Sequence, residues 1–297
     1  MVTQTTNAAN VERLGHGVAA NAQAVGVSQK TAWLAFWLPL LGAVAVAATY
    51  GHRRAYYWLL AEDHPVEWLQ FALVVAGSLL AAMTALRLHR EGDRLGSTLF
   101  VVFALGMFVI AGEEISWGQR VFAFGTPTDL ASVNNEHEFN VHNITKGMPL
   151  QSAFKLVELL LGLVGTVVPL YLARARRVLR ASALRLLTPP LFLVPSFALV
   201  FTYRLGRFLT DSHRYSAAVR FQEWPELTLY FGLAVVAYLA YATVAGRAYQ
   251  GSHRPLTARR HPTVGAISVL CFAALLTTAF AIATIANGIA PGNPVDS

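Results

Sequence analysis

Between Gly112 and Asn143 the chain concentrates the side chains best able to do chemistry. An apolar run from Leu99 to Ile110 ends in Gly-Glu-Glu-Ile-Ser-Trp-Gly-Gln-Arg (Gly112–Arg120). A second polar stretch, Asn134–Asn143, reads Asn-Asn-Glu-His-Glu-Phe-Asn-Val-His-Asn. Lipid offers charge no solvation, so carboxylates at the end of a membrane-length helix mark a site. Continued as a helix, the third span sets Glu113, Trp117 and Arg120 on one stripe. Glu114 then lies about 100° around the axis, and the two carboxylates face different surroundings. One of Glu113 and Glu114 is the candidate general acid or base, and the other pairs with Arg120 or a neighbouring helix. The alternative is an ion pair that only fixes helix packing.

In the second stretch, Asn134, Glu138 and His142 recur every four residues, the spacing of a helix face. On a strand, Glu136, Glu138, Asn140 and His142 would share a face. Either way Glu138 and His142 point together, which suits a divalent metal, zinc or similar, with His137 and His213 as further ligands. The zincin pattern HExxH is not met, because one residue too many separates His137 from His142. A hydrogen-bonded cap that orders a long loop is the competing reading.

Three further places contribute candidates. Glu67 follows Pro65 at the start of the second span, and Glu226 follows Pro225 at the start of the sixth. Acids and proline there complement the helix dipole, or they bring carboxylates to the same centre. Arg207 and Arg214 flank the fifth loop beside Asp211 and His213. Guanidinium groups suit a phosphate or other anion of a substrate, a lipid headgroup, or the acids of the third loop. Most of the tryptophans fall near span ends, as in an interfacial belt; Trp117, inside the acid motif, is a candidate substrate contact.

The elements that must position these residues are membrane helices. Of 297 residues, 55% are hydrophobic and 13% charged, and mean hydropathy is +0.47. A soluble domain carries roughly 25% charged residues. Apolar runs at about 31–50, 65–86, 97–116, 151–173, 186–205, 224–246 and 264–289 predict an all-α polytopic bundle of seven spans, with a long polar loop between spans three and four. Residues 1–30 read as a disordered tail rather than a signal peptide, 31–289 as one transmembrane domain, and 290–297 as a short tail. Cys271 is the single cysteine, which excludes intrachain disulfides and cysteine metal sites.

The net charge of +7 reflects topology rather than nucleic acid. Fourteen of the 23 Lys and Arg fall on the side of the N-terminal tail and the even-numbered loops. The positive-inside rule then puts the N-terminus in the cytoplasm, the C-terminus outside and the protein in the plasma membrane. Nearly every acid falls on the opposite, extracytoplasmic side, so the first, third and fifth loops are expected to meet there.

The motifs GEEISWGQR, NNEHEFNVHN and SHRYSAAVRFQEWPE, spanning roughly 62–226, resemble a family of uncharacterised bacterial multi-pass membrane proteins. That likeness implies that these residues matter without naming a reaction. A looser likeness links the chain to the CPBP intramembrane metalloproteases, whose EExxxR and FxxxH patterns are approached by Glu113-Glu114 with Arg120 and by Phe139 with His142. Arg120 falls two positions late and His142 one position early for those patterns.

Together these residues predict a membrane enzyme, a hydrolase or transferase, acting on a lipid-linked or anionic amphipathic substrate. A proton- or cation-coupled transporter and an accessory or assembly subunit are the alternatives. The transporter requires polar groups through the bilayer midplane, whereas the span interiors lack charge apart from Glu158.

Overall fold

Inside a bilayer the backbone has no partner but itself, so each apolar run closes its own hydrogen bonds as a helix. The computed structural model describes residues 17–134, 137–146, 150–175, 177, 179, 182–210, 216–250 and 262–287. Seven helices are long and apolar enough to cross a membrane. Their main helices are α1 (Gln29–Ala48), α2 (Pro65–Arg90), α3 (Arg94–Glu114), α4 (Leu150–Ala175), α5 (Val194–Thr210), α6 (Glu223–Gln250) and α7 (Pro262–Asn287), the fifth span beginning before α5, at Ser182. The chain is therefore an integral, multi-pass membrane protein, all-α in its described residues, which hold no strand beyond an isolated Asn134–Ile144 bridge.

Local chemistry sets the helix ends. Ser28 caps α1 by accepting from the Thr31 N–H, and Asp93 caps α3 by accepting from the Gly96 N–H. Pro65 opens α2 with Glu67 in its first turn. Pro189 and Pro190 separate the short helix Ser182–Leu187 from α5, because proline cannot donate to a helical ladder.

Two boundaries differ from the sequence expectation in ways that matter below. α3 stops at Glu114, and α5 runs on to Thr210 rather than ending at 205. Part of the tail expected to be disordered is also ordered. Residues 17–24 are helical, Val18 and Ala22 bury one turn apart, and the Asn21 side chain accepts from the Leu191 N–H at 2.8 Å. Residues 1–16 and 288–297 lie outside the described residues.

α2 is central, packed against α3, α6 and α7. α4 rides mainly on α5, where a Cβ on Gly165 would stand 2.3 Å from the Phe197 ring, so only glycine lets these helices approach. Away from the acid-bearing rim, Leu80, Ala81, Phe100, Ala237, Tyr241 and Val244 form a closed apolar core. At the rim, α2, α4 and α6 begin while α3, α5 and α7 end, so the polar loops gather at one end of the bundle.

Candidate functional site

The expected stripe of Glu113, Trp117 and Arg120 does not form, because the helix does not continue. Ser116, Trp117 and Gly118 follow α3 in succession with φ of +46°, +52° and +80°. Three left-handed residues in a row reverse the chain, and such conformations persist only where the surroundings hold them. Two contacts do so. The Trp117 indole folds back onto Gly112, where a Cβ would lie 2.8 Å from the ring. Its Nε1 donates to Glu113 Oε1 at 2.6 Å.

Glu113 Oε2 is the anchor of the histidine loop. It accepts from the backbone N–H groups of Val141 and His142 at 2.7 and 2.8 Å, and His142 Nδ1 lies 3.1 Å away. A buried carboxylate thus fixes the orientation of the His142 ring, as outer carboxylates fix catalytic and metal-binding imidazoles elsewhere. Glu114 points instead to α6, accepting from the Tyr230 hydroxyl at 2.9 Å. Both carboxylates line one cavity, contrary to the expectation from an ideal helix. Because α3 ends here, the cavity wraps around its last turn and meets both.

Most of the second motif builds the loop rather than the cavity. Asn134, Asn140 and Asn143 are buried, and Asn134 Nδ2 donates to the Asn140 carbonyl and side chain at 2.9 and 2.7 Å. Gln119 joins the two halves, donating to Thr126 and accepting from the Phe139 N–H. Glu138 accepts from Ser116 Oγ at 2.5 Å and Asn140 Nδ2 at 2.9 Å, and it pairs with Arg120. Burial and the nearby Glu62 charge push the Glu138 carboxyl above the ordinary glutamate range, outweighing Arg120 and the Ser116 hydrogen bond. Arg120 also pairs with Asp63 and, at 3.3 Å, with Glu62, so it stitches the first loop to the third.

Asn287 at the end of α7 secures the same turn by donating to the Arg120 and Val121 carbonyls at 3.0 and 2.9 Å. His137, at φ +58°, turns away and sits 2.7 Å from the Ala131 carbonyl. His213 and Arg214 lie outside the described residues. Among the described residues, no three His, Cys, Asp or Glu side chains are grouped to hold a metal ion. Arg207 lies in the last turn of α5 and does not line the cavity.

The cavity measures about 100 Å³ and is lined by eight glutamates: Glu62, Glu67, Glu113, Glu114, Glu138, Glu158, Glu223 and Glu226. Glu67 and Glu226 therefore do more than complement helix dipoles. Its cations are Lys155, Arg204 and Arg220, with His142 beside them. Arg204, only 3% exposed, pairs with both Glu158 and Glu226 and so ties α4, α5 and α6 together. Arg220 reaches Glu62 at 3.8 Å.

Glu67, Glu114 and Glu223 form no contact ion pair among the described residues, although His142 acts on Glu114 from a longer distance. Glu67 accepts from the Asp63 N–H, Glu114 from Tyr230, and Glu223 from the Gln70 and Gln222 amides. They are near enough for their charges to repel one another. Glu158 stands eight residues into α4, about 12 Å below its start at 1.5 Å per residue, so the cavity descends into the hydrocarbon layer.

Sequence reasoning missed several of these residues. Gln151, Phe154, Lys155 and Glu158 line the cavity at i, i+3, i+4 and i+7, a helical face that periodicity alone could have found. Tyr230, in the second turn of α6, sits among apolar neighbours and carried no local signal. No protein-family model, curated protein or solved structure matches the chain.

Proposed function

We propose that the protein is a membrane enzyme, a hydrolase or transferase, using acid–base catalysis on the polar head of a lipid-borne or amphipathic substrate. The observation that carries this reading is Glu113, buried beneath the histidine loop, holding the His142 ring at the wall of a polar intramembrane cavity. A carboxylate that orients an imidazole favours the tautomer and the charged form the ring needs as a proton carrier. Glu114, bound to Tyr230 across the same cavity, supplies a second proton-exchanging group. The polar cavity brings water to a depth where lipid supplies none.

Transport of protons or cations is the second reading, favoured by the three acids that form no contact ion pair among the described residues. The apolar core around Phe100 and Tyr241, which fills the opposite half of the bundle, weighs against a through-going path.

Purified protein incubated with a total polar lipid extract, its products read by mass spectrometry, tests the proposal. Wild type is expected to convert at least one lipid species, and H142Q and E114Q to lose that conversion. An unchanged lipid spectrum, together with proton flux in vesicles that E114Q abolishes, overturns the enzyme in favour of the transporter.

A further inference from the structure

Three of the four basic side chains at the cavity are already in contact with carboxylates: Arg204 with Glu158 and Glu226, Arg220 with Glu62, and His142 with Glu113. Lys155 differs. It lines the cavity from α4, and among the described residues no carboxylate approaches its ammonium within ion-pairing distance. Glu158 and Glu226 act on it only from beyond contact distance and are themselves held by Arg204, so the ammonium keeps its donors for an anion in the cavity. The arginines expected from the sequence to take that role do not: Arg120 is spent on Glu62, Asp63 and Glu138, and Arg207 lies off the cavity.

Across the same space stand Glu67, Glu114 and Glu223, which form no contact ion pair among the described residues. An ammonium brings three N–H donors together with the positive charge that these acids lack.

We propose that the cavity receives a zwitterionic headgroup, its phosphate or carboxylate meeting Lys155 and its ammonium meeting Glu67, Glu114 and Glu223. It rests on reading the cavity as the substrate site, and it narrows the anionic amphiphile expected from sequence to one carrying both charges. A simple anion would meet Lys155 but face the acid wall, and a simple amine would meet the wall but leave Lys155 unpaired.

The chain holds only three lysines, Lys30, Lys146 and Lys155, which makes the test direct. Reductive methylation with labelled formaldehyde keeps each charge and gives three lysine methyl signals, of which K155R removes and so identifies one. O-phosphoethanolamine, inorganic phosphate and ethanolamine are titrated separately into the full-length protein in neutral detergent. The expected result is a saturable shift of the Lys155 signal with O-phosphoethanolamine, at least tenfold tighter than with phosphate or ethanolamine. E114Q and E223Q should each weaken that binding about tenfold. K155M should abolish the thermal stabilisation by O-phosphoethanolamine while the Lys30 and Lys146 signals stay in place, which separates loss of binding from loss of fold.

No shift of the Lys155 signal overturns the proposal. So does a phosphate shift as tight as that of the zwitterion, or an equal shift at all three lysines. Saturable binding at Lys155 without lipid turnover leaves the headgroup site standing and removes only the enzyme.

Discussion

Replacing Glu113 tests the joint between α3 and the histidine loop. Its carboxylate accepts the backbone N–H groups of Val141 and His142 at 2.7 and 2.8 Å, with the Trp117 indole and His142 Nδ1 as further partners. Hydrogen bonds to a charged acceptor contribute about 1.5–3 kcal/mol each. Taking only the two amides at the lower figure, E113A removes about 3 kcal/mol of local stability. Each 1.4 kcal/mol is tenfold, so exchange of these amides should accelerate by roughly 100-fold. E113Q keeps one acceptor oxygen but turns an N–H₂ toward either the indole or the loop amides, so about tenfold is expected. Hydrogen exchange read by mass spectrometry over 137–146, in detergent and at matched thermal stability, measures both. Folded variants whose Val141 and His142 amides exchange at the wild-type rate would refute this account of the loop.

Other consequences follow from the same contacts. R204M strands Glu158 and Glu226 and should cost about 3–5 kcal/mol, visible as a lower unfolding temperature, while adding E158Q and E226Q should restore most of the loss. G112A should cost about 1–3 kcal/mol because its methyl meets the Trp117 indole, whereas G106A, with open space around it, should be nearly neutral in the same melt. Glu138 titrates above the ordinary glutamate range in the fold, so its stabilising contribution is complete below about pH 4 and is lost as pH rises through the raised value. E138Q, which cannot ionise, should flatten that slope in unfolding temperatures measured from about pH 4 upward.

The seven spans and the gathering of acids at one rim were legible in the sequence, because hydropathy and proline-capped helix starts report them directly. Glu67, Glu113, Glu114, His142 and Glu226 accordingly reappear around one cavity. The turn after α3 was not legible: neither serine nor tryptophan favours positive φ, and only the pairing of Gly112 with Trp117 hints at the reversal. That reversal sends Arg120 to Asp63 and Glu138 instead of along the helix.

Arg204 read as a residue at the very end of span five, because that end was expected at 205. Five more helical residues put it inside the bundle, where only carboxylates can accompany it. His137 and His142 look equivalent in the motif, and backbone conformation separates them: the left-handed His137 turns to a carbonyl while His142 meets Glu113. Lys155 counted only toward topology until the α4 face was seen to line the cavity.

Chemical cross-linking tests the central claim, that the carboxylate pair and the histidine loop share one intramembrane cavity, most directly. With Cys271 replaced by serine, and Glu113 kept so that the loop stays anchored, E114C/H142C and E114C/H137C are treated in native membranes with a short bismaleimide. The 114–142 pair should bridge readily and the 114–137 pair should not. Bridging of the 114–137 pair at an equal rate, or of neither pair in a folded protein, would contradict it.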